Sequence, residues 1–419
     1  MYVLLDRAFR HVVKSGTLIV TGPTGQTFTY GDGTRSPVHI RITTKITALR
    51  IAIDADLAIG EAYMDGSLVI EKGTVFELLA ILMRNTGAVS DYPALVKICY
   101  KLRVALKRLD QHNPVGKAKA NVAHHYDLSG AIYDLFLDRD RQYSCAYFES
   151  PEDSLEQAQV AKKRHLAAKL AIKPGMKVLD IGSGWGGLGL YLAETCGAEV
   201  TGVTLSEEQH KHSNERAAQR GISDRVKFEL RDYRSLEQKY DRIVSVGMFE
   251  HVGVGHYQEF FRKCHALLKQ DGVAVLHSIN RSDGPGATSA WVKKYIFPGG
   301  YIPALSEVLP VLEANKLYVT DIEILRLHYA ETLREWGRRF GHHREQATDI
   351  YDERFCRMWE FYLAGSECAF RFGGMNNFQI QFALNQNALP LTRDYIFEEE
   401  NRLRALESKR SRFKSVLAE

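Results

Sequence analysis

Apolar residues in this chain fall into short runs whose spacing changes character along its length. Over the first hundred residues the pattern is mixed. Gly16 to Thr21 and Gln26 to Tyr30 read as short strands around Gly22-Pro23-Thr24-Gly25, a hairpin signal. Val38 to Ile42 alternates like a third strand, and Phe76 to Met83 is apolar enough for a buried helix. These elements predict a small α+β unit. From about residue 121 the pattern becomes regular. Lys177 to Ile181, Glu199 to Thr204, Val226 to Leu230, Arg242 to Val246 and Val273 to Ser278 are β-rich runs, separated by stretches long enough for helices. That alternation predicts an α/β fold with a parallel, doubly wound sheet. Tyr318 to Leu325 and Phe378 to Ala383 alternate with period two and are expected to close the sheet as a hairpin-like pair. Residues 282–317, punctuated by Gly and Pro and carrying Tyr295, Phe297 and Tyr301, suit a lid or cap insertion.

Length and charge refine this division. A chain of 419 residues accommodates two to three domains. The boundaries read as an N-terminal domain over 1–108, a linker over 109–120 and a larger domain over 121–419. The six cysteines show neither a CxxC nor a zinc-type spacing, so free thiols in a reducing cytosol and no metal site are expected. No apolar run reaches membrane-spanning length. The formal net charge of +4 is too mild to imply nucleic acid. It is unevenly spread: residues 97–119 hold seven Lys/Arg against one acid, and 401–414 hold six against one. In the first segment Ile98, Leu102, Ala105 and Leu109 recur at helical spacing. It reads either as a solvated connector docked by its leucines or as a surface that meets anionic lipid headgroups. In the second, Leu403, Leu406 and Phe413 give partial apolar spacing.

The chemistry begins at Val178-Leu179-Asp180-Ile181-Gly182-Ser183-Gly184-Trp185-Gly186-Gly187, which runs from an apolar strand into a helix. Glycines at 182, 184 and 187 let backbone N–H groups approach a ligand. A dinucleotide site wants an acid at the end of the second strand. Positions 200–206 contain none, and Glu199 stands at the strand's start. Thr204 and Gln209 can instead bond ribose hydroxyls, Asp232 can accept from an adenine amino group, and Asp180 can orient the loop or meet an ammonium. That set suits S-adenosylmethionine better than a dinucleotide.

Further motifs carry a resemblance. His125-Tyr126-Asp127, Gln142-Tyr143-Ser144-Cys145-Ala146-Tyr147, Leu179-Asp180-Ile181-Gly182, Gly202-Val203-Thr204-Leu205-Ser206 and Asp232-Tyr233-Arg234 stand in this order. Val246-Gly247-Met248-Phe249-Glu250-His251-Val252-Gly253, Leu276-His277 and Lys294-Tyr295-Ile296-Phe297-Pro298 follow. Together they resemble the cyclopropane-fatty-acyl-phospholipid synthases, closely over residues 121–383. The likeness is looser over the N-terminal unit, at Gly60-Glu61-Ala62-Tyr63-Met64-Asp65-Gly66. Ser183 departs from the cysteine many relatives carry, a change of similar size.

The resemblance implies a Rossmann-like class I methyltransferase sheet with a small N-terminal α+β domain. It implies transfer of a methylene unit from S-adenosylmethionine to the cis double bond of an unsaturated phospholipid, with bound bicarbonate as the base. Carried over by motif, Cys145, Glu250, His277, Ile279 (through its backbone) and Tyr329 would form the bicarbonate cage. Tyr126 and Ser144 would join Asp180, Gly182, Gly184, Thr204, Gln209 and Asp232 at the cofactor. A cytoplasmic enzyme, peripheral on the inner face of the membrane, and a homodimer are the corresponding expectations. Methyl transfer to an amine or another lipid, and lipid binding without catalysis, are the alternatives.

Overall fold

The computed structural model describes residues 2–86 and 130–416. The first stretch carries α1 (Tyr2–Val12), β1 (Thr17–Thr21), β2 (Thr27–Gly31), β3 (Val38–Ile42), α2 (Lys45–Ile53), α3 (Ala55–Met64), β4 (Leu68–Lys72) and α4 (Val75–Asn85). The second opens with α5 (Gly130–Asp134), α6 (Leu155–Lys169), β5 (Lys177–Ile181), α7 (Gly187–Cys196), β6 (Glu199–Thr204), α8 (Glu207–Gln219) and β7 (Val226–Leu230). It continues through β8 (Tyr240–Val246), α9 (Tyr257–Leu267), β9 (Leu268–Arg281), α10 (Ala290–Tyr295), α11 (Leu305–Ala314) and β10 (Tyr318–Ile324). It ends with α12 (His328–His342), α13 (Arg344–Ile350), α14 (Glu353–Phe372), β11 (Met375–Ala383) and α15 (Asp394–Val416). The basic segment 97–119, the expected linker and Tyr126 lie outside the described residues.

Two compact units emerge. One combines residues 2–86, 286–300 and 330–375; the other combines 130–285, 301–329 and 376–416. In the first, four strands stand in the order β2-β1-β3-β4. The Gly22–Gly25 turn closes the expected hairpin, with Gly22 N–H on the Gln26 carbonyl at 2.8 Å. Leu18, Val20, Val38, Ile40 and Ile42 alternate onto one face, where they meet Leu5 and Phe9 of α1, Ile51 of α2 and Leu78 of α4. Thr74 and Glu77 form a capping box that starts α4. On the same unit α3 holds the segment 286–300. Gly60 lies so close to the Trp291 indole that no Cβ would fit. Asp56 accepts from Ser289 Oγ at 2.7 Å and the Ala290 N–H at 2.8 Å, and Glu61 accepts from Lys294 Nζ at 2.6 Å and Tyr295 OH at 2.8 Å. The stretch read as a lid or cap therefore contains two helices, α10 and α11, and is divided between the units.

The second unit is built on seven strands in the order β10-β11-β9-β8-β5-β6-β7. Strand β5 pairs in parallel with β6 on one side and β8 on the other, as do β6 with β7 and β8 with β9, while β10 and β11 pair antiparallel. Successive residues feed opposite faces. Val178, Val244 and Val275 join the core under α6 and α7, whereas Leu179, Ile243 and Ala274 join the core under α9 and α11. β10 and β11 are the expected closing pair, with Tyr318 opposite Ala383 and Ile324 opposite Phe378. They are not a hairpin: α12, α13 and α14 intervene between them.

Candidate cofactor and catalytic site

The carboxyl ends of β5, β6 and β8 open into one cavity, where ligands bind in sheets of this topology. Ser144, Asp180, Gly182, Gly184, Thr204, Gln209 and Asp232 all line it. Gly182 has φ +79°, and a Cβ there would stand 2.8 Å from the Met248 Cβ, so the turn admits glycine for two reasons. Gly184, at φ +52°, faces open space. Thr204 Oγ1 donates to Gln209 Oε1 at 2.9 Å, which leaves the Gln209 amide N–H groups for a ligand. Burial pushes the Asp232 carboxyl up, but the Arg234 guanidinium, at 2.9 and 2.7 Å, outweighs it and holds the group below the usual carboxylate range. Asp180 is the opposite case. Burial pushes it up to about 7 against the pull of Lys162.

Three buried polar atoms of residues on this wall lack hydrogen-bond partners among the described residues: Asp180 Oδ2, Ser183 Oγ and Trp185 Nε1. Leaving such groups unpaired costs about 1–3 kcal/mol each, so a ligand with complementary donors and acceptors fits here. S-adenosylmethionine, with an ammonium, a carboxylate and an adenosine, meets that description.

The other described residues assigned by resemblance, Glu250, Ile279, His277, Cys145 and Tyr329, do not line this cavity, and they fall into three local groupings. Glu250 and Ile279 meet directly, with the Ile279 N–H donating to Glu250 Oε1 at 2.7 Å. Glu250 Oε2 is buried and has no hydrogen-bond partner within normal geometry among the described residues, and burial raises the carboxyl against the Ile279 N–H and the nearby Ser278 hydroxyl. His277 is turned to β11: its Nε2 stands 3.3 Å from Asn377 Nδ2 and its Nδ1 3.1 Å from Gln379 Nε2. Burial pulls its pKa to about 3, so the ring is neutral and carries one N–H. One of the two amides must therefore offer its oxygen, and both amide oxygens are buried without another partner. Cys145 Sγ donates to the Ala146 carbonyl at 3.3 Å. Tyr329 is buried at the start of α12. The neighbours of these two residues connect them. His328 accepts from the Phe148 N–H at 3.0 Å, and Tyr147 stacks on both His165 and His328 at 4.3 and 4.8 Å.

The structure adds residues that motif reading missed. Asp140 joins Lys163 and Arg216, and Arg216 also donates to the Trp185 carbonyl at 2.7 Å, so this cluster ties the glycine loop to the segment before Ser144. Lys162 and Gln159 hold that segment from α6. The helix α6, LEQAQVAKKRHLAAK, carries Lys162, Lys163, Arg164 and Lys169, yet all four are buried.

Fold and cavity together define a class I S-adenosylmethionine-dependent methyltransferase. Residues 115–380 match the model of the mycolic acid cyclopropane synthetase family, and residues 4–92 match a domain of unknown function. The chain is 36% identical over 359 residues to the cyclopropane-fatty-acyl-phospholipid synthase of Escherichia coli, covering 85% of this chain and 91% of that one. It is 34% identical over 358 residues to a probable fatty acid methyltransferase of Pseudomonas putida, covering 81% and 86%. Among solved structures it is similar to mycolic acid cyclopropane synthase CmaA1 complexed with SAH and CTAB, with a TM-score of 0.61 and 34% identity, over 65% of this chain and 99% of that one. The chain belongs to the mycolic acid cyclopropane synthetase family.

Proposed function

We propose that this enzyme transfers a methylene unit to the cis double bond of an unsaturated phospholipid acyl chain and closes a cyclopropane ring. The observation that carries the reading is Glu250, a buried carboxyl with an unpartnered oxygen two residues beyond the cavity-wall Met248. Transfer to an amine asks for no such dry acid, whereas an alkene develops positive charge that a buried carboxyl stabilises. S-adenosylmethionine supplies the carbon as an electrophilic methyl group. Asp180, Ser144 and the glycine loop hold it, Thr204 and Gln209 take the ribose, and Asp232 takes the adenine. Apolar walls keep water from the developing cation.

Bicarbonate, when bound, supplies a base. Glu250 Oε2 fits it as an acceptor for its O–H; Cys145 and Tyr329 are the further residues that the family resemblance assigns to it. The Ile279 N–H and both His277 ring nitrogens already have protein partners. In this reading, then, His277 serves as a rigid wall of the site and Glu250 as its responsive group.

Among the described residues no helix is long and apolar enough to cross a membrane, and the proposed association with lipid is peripheral, on the inner face. The basic segment 97–119 is the favoured contact. The C-terminal candidate is weakened: Leu403 is buried in the core, Leu406 packs against it, and Arg402 and Arg404 pair with Glu399 and Glu149.

Mass spectrometry of unsaturated phospholipid vesicles after incubation with enzyme and S-adenosylmethionine tests the reading. A gain of one CH₂, faster with added bicarbonate, is expected. No gain would remove the phospholipid, and a gain indifferent to bicarbonate would remove the anion.

A further inference from the structure

We propose that Lys162 is a positioning residue that fixes Ser144 as a hydrogen-bond donor toward the amino-acid end of S-adenosylmethionine. The inference rests on reading the cavity as the S-adenosylmethionine site. Lys162 lies midway along α6 and is 1% exposed. Its Nζ donates to Gln142 Oε1 at 2.6 Å and to Ser144 Oγ at 2.8 Å. Gln159, one turn earlier, donates to the Ser144 carbonyl at 3.0 Å and the Gln142 carbonyl at 3.4 Å. One helix therefore grips both the main chain and the side chains of residues 142–144.

Neither hydrogen-bond acceptor of Lys162 is a carboxylate. An ammonium buried against neutral oxygens carries a desolvation cost that an apolar side chain avoids, so packing alone does not explain it. Its distinct effect is on hydrogen-bond polarity. An ammonium only donates, so Ser144 Oγ receives from it and the serine's own proton must point elsewhere. Ser144 lines the cavity near Gly247, where an added Cβ would lie 3.8 Å from the Ser144 Cβ. Thr204, Gln209 and Asp232 occupy the β6 and β7 side and suit the adenosine. Ser144, Asp180 and Gly182 occupy the β5 and β8 side, which leaves the amino-acid end there. A donor fixed in this way selects a carboxylate.

The titratable groups around Lys162 are Asp138, Asp140, Lys163 and the Cys145 thiol, and its own field reaches Asp180 and His277. Burial brings its pKa down to about 8. Above that pH the neutral amine can accept the Ser144 proton and turn the hydroxyl away from the ligand.

Calorimetric binding of S-adenosylhomocysteine and of 5′-methylthioadenosine, which lacks the amino-acid end, tests the idea. Lys162→Met and Ser144→Ala should each weaken S-adenosylhomocysteine roughly tenfold, the worth of one hydrogen bond, and leave 5′-methylthioadenosine within about twofold. The double variant should be no weaker than either single one. Wild-type affinity for S-adenosylhomocysteine should fall above pH 8, and Ser144→Ala should lack that step; this comparison decides alone if Lys162→Met does not fold. Equal weakening of both nucleosides by Lys162→Met, or a pH step that survives Ser144→Ala, would overturn the proposal. If the wild type binds neither nucleoside, the cofactor reading itself fails.

Discussion

Asp180 is the carboxyl at which stability and the proposed cofactor contact pull in opposite directions. Its folded value, about 7, lies above the ordinary 3.8, so the folded state holds a proton that the unfolded chain releases. That contribution is fully present below pH 3.8 and is lost as pH rises through 7. Asp180→Asn should therefore raise the melting temperature at pH 8 and leave it unchanged near pH 4. The ionised form is the one that attracts a cationic ligand. Wild-type affinity for S-adenosylmethionine should improve roughly tenfold from pH 6 to pH 8, as Asp180 ionises, and Asp180→Asn should flatten that rise. Glu250→Gln separates binding from chemistry: turnover should fall about a hundredfold or more while S-adenosylhomocysteine affinity stays within about twofold. At this scale the sequence was informative where a motif places a residue at a strand end. Seven of the expected cofactor residues, Ser144 through Asp232, share one cavity. Lys162 and Asp140 stayed invisible because their meaning lies in partners that only folding supplies.

Among the described elements, α6 buries the most charge. Lys and Arg side chains on a helix normally reach water. Here its Lys and Arg residues are buried against acids and carbonyls brought from residues 140–149, 323 and 407. The strands were legible because β5 and β6 are largely buried runs and β7 alternates, each bounded by turns, and their expected limits match the observed ones. The limits of β9 were not, since Leu268 to Asp271 mixes polar residues into an extended segment. For Asp140 burial acts upward, but Lys163 and Arg216 outweigh it and hold the carboxyl at about 2, below its ordinary 3.8. This stabilisation is present above pH 3.8 and is lost as pH falls through 2. Asp140→Asn should cost about 3 kcal/mol at pH 7, measured by urea unfolding, because two buried cations lose their partner. The gap from wild type should close as pH drops from 4 toward 2.

Over the whole molecule, charge is the property most easily tested. Binding to anionic vesicles should weaken steeply as salt rises, and replacing Lys101, Arg103, Lys107 and Arg108 with Gln should remove most of it. Vesicle binding indifferent to salt would exclude an electrostatic role. The two-unit arrangement was legible only in part. Alternation marks the parallel sheet, but no local pattern shows that residues 286–300 and 330–375 complete the unit begun at the N-terminus.

That discontinuity bears on how the protein is made. Helix α4 finishes at Asn85, while Gly365 of α14 packs against Leu79 and Cys368 bonds the Phe76 carbonyl. A chain emerging from the ribosome at about 5–20 residues per second carries this half-covered apolar face for roughly 15 to 60 seconds before α14 arrives. The N-terminal unit is thus completed only after residues 330–375 have been made, and until then its α4 face is a place for a chaperone to bind.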